Sequence, residues 1–241
     1  MMTARKKKWL LPVLVLLILA AACLIYVNDY YAADSAALAA LENTDRVTVT
    51  LSGDRAVFTP EDPHTGLIFY PGGKVEFTAY APLMQSLARE GVLCILLKMP
   101  ANLAVLDVHA AEGIPAEYPG IAQWYLAGHS RGGSMAASHL SETKRYAGLI
   151  LLASYSTADL TPLPVEVLSL YGDCDGILNK EKYQQYRDNL PEDTREVILE
   201  GANHAQFGSY GLQEGDGTGE ITAQEQLTLT AGEILNFLQA A

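Results

Sequence analysis

The chain has 241 residues, 49% of them hydrophobic and 18% charged, with a formal net charge of −12. That apolar content can offset the entropy lost on folding, which excludes a wholly disordered protein, and the length suits one domain with an appendage. Arg5, Lys6, Lys7 and Lys8 are four of the sixteen basic residues; beyond them stand 12 basic against 28 acidic side chains, a net of −16 that a phosphate backbone would repel, so nucleic acid is not an expected partner.

Trp9 to Val27 contains no charged residue. A helix of that length, at about 1.5 Å per residue, matches the roughly 30 Å hydrocarbon core of a bilayer. The basic cluster precedes it, Asp29 and Asp34 follow, and Trp9, Tyr26, Tyr30 and Tyr31 stand where interfacial aromatics are expected. The expectation is a cytoplasmic basic tail (1–8), a single-pass transmembrane anchor (9–27) and a remainder outside the cytoplasm, in the cell membrane. Two alternatives stay open: a signal peptide cleaved near Ala20-Ala21-Ala22, and a lipoprotein, with Leu19 to Cys23 as a loose lipobox. Both also place the remainder outside the cytoplasm.

Residues 28–45 are Ala-rich and read as a short helical spacer, with the domain proper at 46–241. Val47 to Leu51 alternates and is β-branched, a strand. Leu67 to Tyr70 is an apolar run ended by Pro71-Gly72-Gly73. Tyr80, Leu83, Met84 and Leu87 recur at helical spacing, and Val92 to Leu97 is a continuous apolar run of strand length. Trp124 to Ala127 runs into Gly128, and a small-residue helix follows from Gly132 to Glu142. Strands are expected at Ala147–Ala153, Val165–Tyr171 and Arg195–Leu199, with helices at Lys180–Leu190 and around Leu227–Leu238. Apolar strands alternating with helices imply a mostly parallel sheet covered on both faces, with any site at the carboxyl ends of the strands. Cys23 lies in the apolar segment, Cys94 and Cys174 read as two free thiols, and no CxxC or Cys/His cluster points to a metal or cofactor. Gly215 to Gly219 reads as a flexible loop, with Phe207, Gly208, Tyr210 and Gly211 as a pocket wall beside His204.

Gly128-His129-Ser130-Arg131-Gly132, set between a strand and a helix, carries the most chemistry. The sharp turn crowds its backbone, so small residues are needed two positions either side of Ser130, and the turn lifts the Ser oxygen above the sheet. Together with Phe69-Tyr70-Pro71-Gly72-Gly73-Lys74-Val75, Lys98-Met99-Pro100 and Gly201-Ala202-Asn203-His204, this stretch resembles the α/β-hydrolase superfamily, in its compact dienelactone-hydrolase-like branch, from about Val47 to the end. The resemblance implies a catalytic triad in the order Ser, acid, His. Ser130 is then the nucleophile and His204 the base. Asp175 is the acid by similarity to the family's Gly-x-x-Asp turn, with Asp173 as the alternative. The oxyanion hole is expected from the backbone N–H groups of Arg131 and of Gly73. Arg131 departs from the apolar residue common in relatives; its side chain is read either as a surface cation or as a lid over the pocket that favours an anionic acyl group. His129 is expected to pack beneath the elbow, while His64, His109 and His139 lack a catalytic placement. About eleven residues separate Ala153 from Val165, too few for a lid domain.

The expected function is hydrolysis of an ester-type bond of a small molecule by a serine esterase working through an acyl-enzyme. The triad does not by itself distinguish this from acyl transfer at the cell envelope, and a non-enzymatic binding module on the same fold is the alternative from another class.

Overall fold

The computed structural model describes residues 4–143 and 145–240, with side chains described from Leu11 onward. The start of the basic tail, the side chains of Arg5 to Trp9, Lys144 and the terminal Ala241 lie outside that description. The chain divides into two units between Tyr30 and Tyr31. In the first, α1 (Ala4–Asn28) is one continuous helix. Its stretch Leu11–Asn28 is long and apolar enough to cross a membrane, a description that a signal sequence also meets.

The second unit is built on one eight-stranded sheet: β1 (Val47–Leu51), β2 (Arg55–Pro60), β3 (Thr65–Tyr70), β4 (Val92–Leu97), β5 (Gln123–His129), β6 (Gly148–Leu152), β7 (Glu166–Gly172) and β8 (Arg195–Leu199). The strand order is β1-β2-β4-β3-β5-β6-β7-β8. β1 and β2, and β2 and β4, pair antiparallel; every other pairing is parallel. α2 (Ser35–Ala39) precedes the strands; α3 (Ala81–Arg89), α4 (Ile114–Glu117), α5 (Arg131–Thr143) and α6 (Lys180–Gln185) lie between them; and α7 (Ala223–Ala240) follows the last.

Strand parity assigns the two faces. Leu67 and Phe69 of β3 point to one side and pack with Leu83, Met84 and Leu87 of α3 and Ile234 and Leu238 of α7. Ile68 and Tyr70 point to the other and pack with Ala136, Ala137 and Leu140 of α5. All six residues of β4 are buried, which is why its sequence is a run rather than an alternation. β2 was not anticipated: Ala56, Val57 and Phe58 are all buried, so it shows no period of two, and Pro60 at its end reads as a breaker. α6 is shorter than expected. Asn179 caps it by accepting from the Lys182 N–H, and a 3-10 turn at Arg187–Asn189 ends the segment.

The stretch read as a spacer is mostly exposed but anchored at several points. Tyr31 pairs as an isolated parallel bridge with Val75, Asp34 caps the short α2, and Ala37 is buried. No helix or strand lies between Leu152 and Glu166, so no lid is inserted there. The sheet reverses direction at β3: β4 lies on one side and β5 on the other. The loops after β3 and β5 leave the sheet at this switch point, the carboxyl edge where sites form in open α/β sheets.

Candidate active site

The turn after β5 is set by sterics. Ser130 has φ of 52°, a left-handed conformation that L side chains rarely adopt. A Cβ on Gly128 would lie 2.6 Å from the Gly133 nitrogen, and one on Gly132 would lie 2.3 Å from both the Tyr70 and Pro71 carbonyl oxygens. Neither neighbour can yield, because each is backbone. Two bonds brace the turn: the Ser130 N–H donates to Leu152 O (2.9 Å), and the Ser154 hydroxyl donates to Ser130 O (2.7 Å). Ser130 is thereby held half-buried at the end of β5, at the start of α5.

The turn after β7 and the loop after β8 bring the other two groups together. Asp175 Oδ2 lies 2.8 Å from His204 Nδ1, with both side chains almost wholly buried. A carboxylate only accepts, so Nδ1 carries a proton and donates it to this bond. Asp175 Oδ1 accepts from the N–H groups of Ile177 (2.8 Å) and Leu178 (2.7 Å). Burial works to raise the Asp175 carboxyl, but the His204 bond and charge and these two N–H groups together hold it below its ordinary value. Asp173, the alternative acid, instead accepts from the Gly201 N–H (2.8 Å), at the base of the same loop.

The His204 ring lies 4.5 Å, centroid to centroid, from that of His129, the residue before Ser130. Ser130 and His204 thus share one edge of the sheet. No direct Oγ–Nε2 hydrogen bond joins them among the described residues, and such bonds are often long in an unliganded site. His129 is buried, as expected, and its Nδ1 is 2.8 Å from the Tyr80 hydroxyl, which also accepts the Gly72 N–H (3.0 Å). Burial first, and the neighbouring His204 second, push the His129 imidazole well below its ordinary value, so it stays neutral.

In the loop after β3, the Gly72 N–H goes to Tyr80, and the Lys74 N–H donates to Asn102 O (2.8 Å). Between them the Gly73 N–H donates to no acceptor among the described residues, nor does the Arg131 N–H at the first position of α5. These are the two groups expected to form an oxyanion hole. The aliphatic stem of Arg131 lies over Gly73, with Cδ 3.0 Å from where a Cβ on Gly73 would stand. Beside them opens a pocket of about 270 Å³ lined by Gly73, Leu103, Ala104, Val105, Arg131, Ser134 and Met135.

Several contributors escaped the sequence reading. Asp216, in the Gly-rich loop read as flexible, accepts four backbone N–H groups: Gly176 and Gly217 (3.0 and 2.8 Å), His204 (3.3 Å) and Ala205 (2.8 Å). It ties the Asp175 turn to the His204 loop, so this segment is an ordered clamp. Gln226 of α7 adds a reciprocal pair with the Asn203 backbone (3.0 and 2.8 Å). Phe207 does not line the pocket; the 3-10 turn Ala205–Phe207 directs its ring against His129 (5.7 Å). Nothing in the local sequence distinguishes Asp216 from a solvated turn residue.

A family model described as "Alpha/beta hydrolase family" matches residues 66–228. Among solved structures, a carboxylesterase, CesB (YbfK), from Bacillus subtilis is similar at 12% identity, covering 86% of this chain and 95% of its own, with a TM-score of 0.60. Est1E from Butyrivibrio proteoclasticus is similar at 13% identity, covering 81% and 98%, with a TM-score of 0.57. A CIB-like hydrolase from Thermoplasma acidophilum is similar at 14% identity, covering 79% and 98%, with a TM-score of 0.56. At such identities the likeness carries the fold alone. No curated protein matches the chain.

Proposed function

The chain belongs to the alpha/beta hydrolase family, and from that premise we propose that it is a serine hydrolase that cleaves an ester-type bond through an acyl-enzyme. The observation that carries this reading is the buried Asp175–His204 pair, 2.8 Å apart, beside a Ser130 held at φ of 52°. Nothing in a purely structural turn calls for a strained serine next to a paired, buried imidazole.

In the proposed reaction, Ser130 Oγ attacks the ester carbonyl while His204 Nε2 takes its proton. Asp175 stays ionised and stabilises the imidazolium as it forms. The carbonyl oxygen gains charge between the N–H groups of Gly73 and Arg131, each such donor contributing roughly 3 kcal/mol to the transition state. His204 then protonates the leaving alcohol, and water, activated by the same nitrogen, releases the acid. An ester is the bond this reading assigns, and one protein that shares the fold is described as a carboxylesterase.

The placement is part of the proposal. Residues 1–8 stay in the cytoplasm, residues 9–27 of α1 span the membrane, and the catalytic unit lies outside, as the basic cluster before the apolar run supports. The test is Ser130→Ala in the full chain, assayed on 4-nitrophenyl acetate. Turnover falls by about 10⁴-fold or more while the far-UV circular dichroism is unchanged; retained turnover would falsify the assignment of Ser130.

A further inference from the structure

Tyr31, the first residue of the second unit, borders the candidate site. The Tyr31 N–H donates to Lys74 O (2.8 Å), and the Glu76 N–H donates back to Tyr31 O (2.9 Å), which pins the strand of chain at Tyr31 to the loop holding Gly73. The Tyr31 ring lies 5.6 Å from that of Tyr210, and its hydroxyl accepts the Glu214 N–H (3.2 Å), both in the segment that follows His204. The Asp34 N–H adds a bond to Ser209 O (2.9 Å). One short strap thus engages the two loops that flank Ser130.

Only Asp29 and Tyr30 separate Asn28, the last residue of α1, from Tyr31. In any arrangement of the two units, so short a chain reaches no farther than about 10 Å. If α1 stays in a bilayer, the rim at Gly73 is leashed to its surface. In the segment bonded to the Gly73 loop through Asn102, the adjacent Val105 and Leu106 are 63% and 59% exposed, and Leu212, in the segment after His204, is 87% exposed. Val105 also lines the apolar pocket of about 270 Å³ beside Gly73 and Arg131. Surface charge does not explain the attachment, since residues beyond Lys8 carry a net of −16 and would not be drawn to anionic lipid.

From the leash, the apolar rim and the apolar pocket beside the two free N–H groups, we infer that the substrate is a bilayer-resident ester: an amphiphile whose ester group lies at the membrane surface and whose acyl chain fills the pocket lined by Leu103, Val105 and Met135. This rests on the serine-hydrolase reading and on α1 remaining in the membrane.

The test uses the full chain reconstituted in phosphatidylcholine vesicles, beside a variant with a twelve-residue Gly-Ser insertion between Asp29 and Tyr30, upstream of the strap. Both are assayed on 4-nitrophenyl dodecanoate dissolved in the vesicles and on 4-nitrophenyl acetate in water. A longer leash dilutes the site at the surface, so the insertion lowers dodecanoate turnover roughly tenfold, while acetate turnover stays within about twofold. Equal dodecanoate turnover by the two chains overturns the inference and leaves the hydrolase reading intact. So does flotation in which the catalytic unit parts from the vesicles. If neither chain turns over acetate, the hydrolase reading itself fails and this inference with it.

Discussion

The turn that carries Ser130 and the loop that carries His204 sit at the same edge of the sheet and are held by opposite means. The first is held by exclusion: Gly128 and Gly132 leave no room for a side chain, and the backbone at Ser130 is strained. The second is held by attraction, through the carboxylate of Asp216 and the amide of Gln226 reaching backbone N–H groups eleven to forty positions away in sequence. A site built this way should break abruptly on one side and by degrees on the other.

The largest effect falls where the two sides meet. Asp175→Asn removes the charge that orients His204, and kcat is expected to fall on the order of 10⁴-fold, the size seen when such an acid becomes its amide. Asp173→Asn, which weakens one bond to the Gly201 N–H, should cost less than about tenfold. Kinetics on an activated ester separate the two; equal losses would contradict the pairing of His204 with Asp175. Next comes the elbow itself. Gly132→Ala drives a methyl into two carbonyl oxygens and displaces the loop holding Gly73; a shift of about 1 Å in a reacting group can cost on the order of 100-fold, and overpacking adds about 1–3 kcal/mol of instability. Both are read from kcat and from the thermal midpoint of the same preparation. On the other side, Asp216→Asn keeps the shape and weakens four charge-assisted bonds, so a loss of roughly tenfold in kcat is expected with KM little changed. A loss as large as that of Gly132→Ala would erase the contrast.

The smallest effect concerns pH. His129 is buried and neutral, its imidazole held well below the ordinary value of 6.5, so the unfolded chain takes up a proton that the native chain refuses. Its contribution to stability is therefore complete above 6.5 and is lost as the pH falls below that value, at up to about 1.4 kcal/mol per pH unit. His129→Gln should flatten the acid side of the stability profile; an unchanged slope in unfolding measurements at pH 7 and 5.5 would show that His129 is not the group responsible.

The same contrast explains what the sequence disclosed. Exclusion is local. Two glycines flanking Ser130 within five residues, after an apolar run and before a helix, can be read directly, and so can β4 and β5, whose burial leaves continuous apolar runs. Attraction is not local. Asp216 acts on Gly176, forty positions away, and in its Gly-rich setting looks like any solvated turn residue. Asp173 and Asp175 lie two residues apart in one turn, so only geometry shows which faces His204. The segment read as a spacer is Ala-rich, and Tyr31 and Asp34 secure it mainly by backbone bonds that leave no trace in composition.

The central claim is that Ser130 is an activated nucleophile. It is tested most directly by treating the full chain in mild detergent with a fluorophosphonate probe and mapping the labelled peptide by mass spectrometry. The account predicts a single covalent adduct on Ser130, strongly reduced in Asp175→Asn. A folded chain that takes no label, or takes it at another serine, would contradict the account.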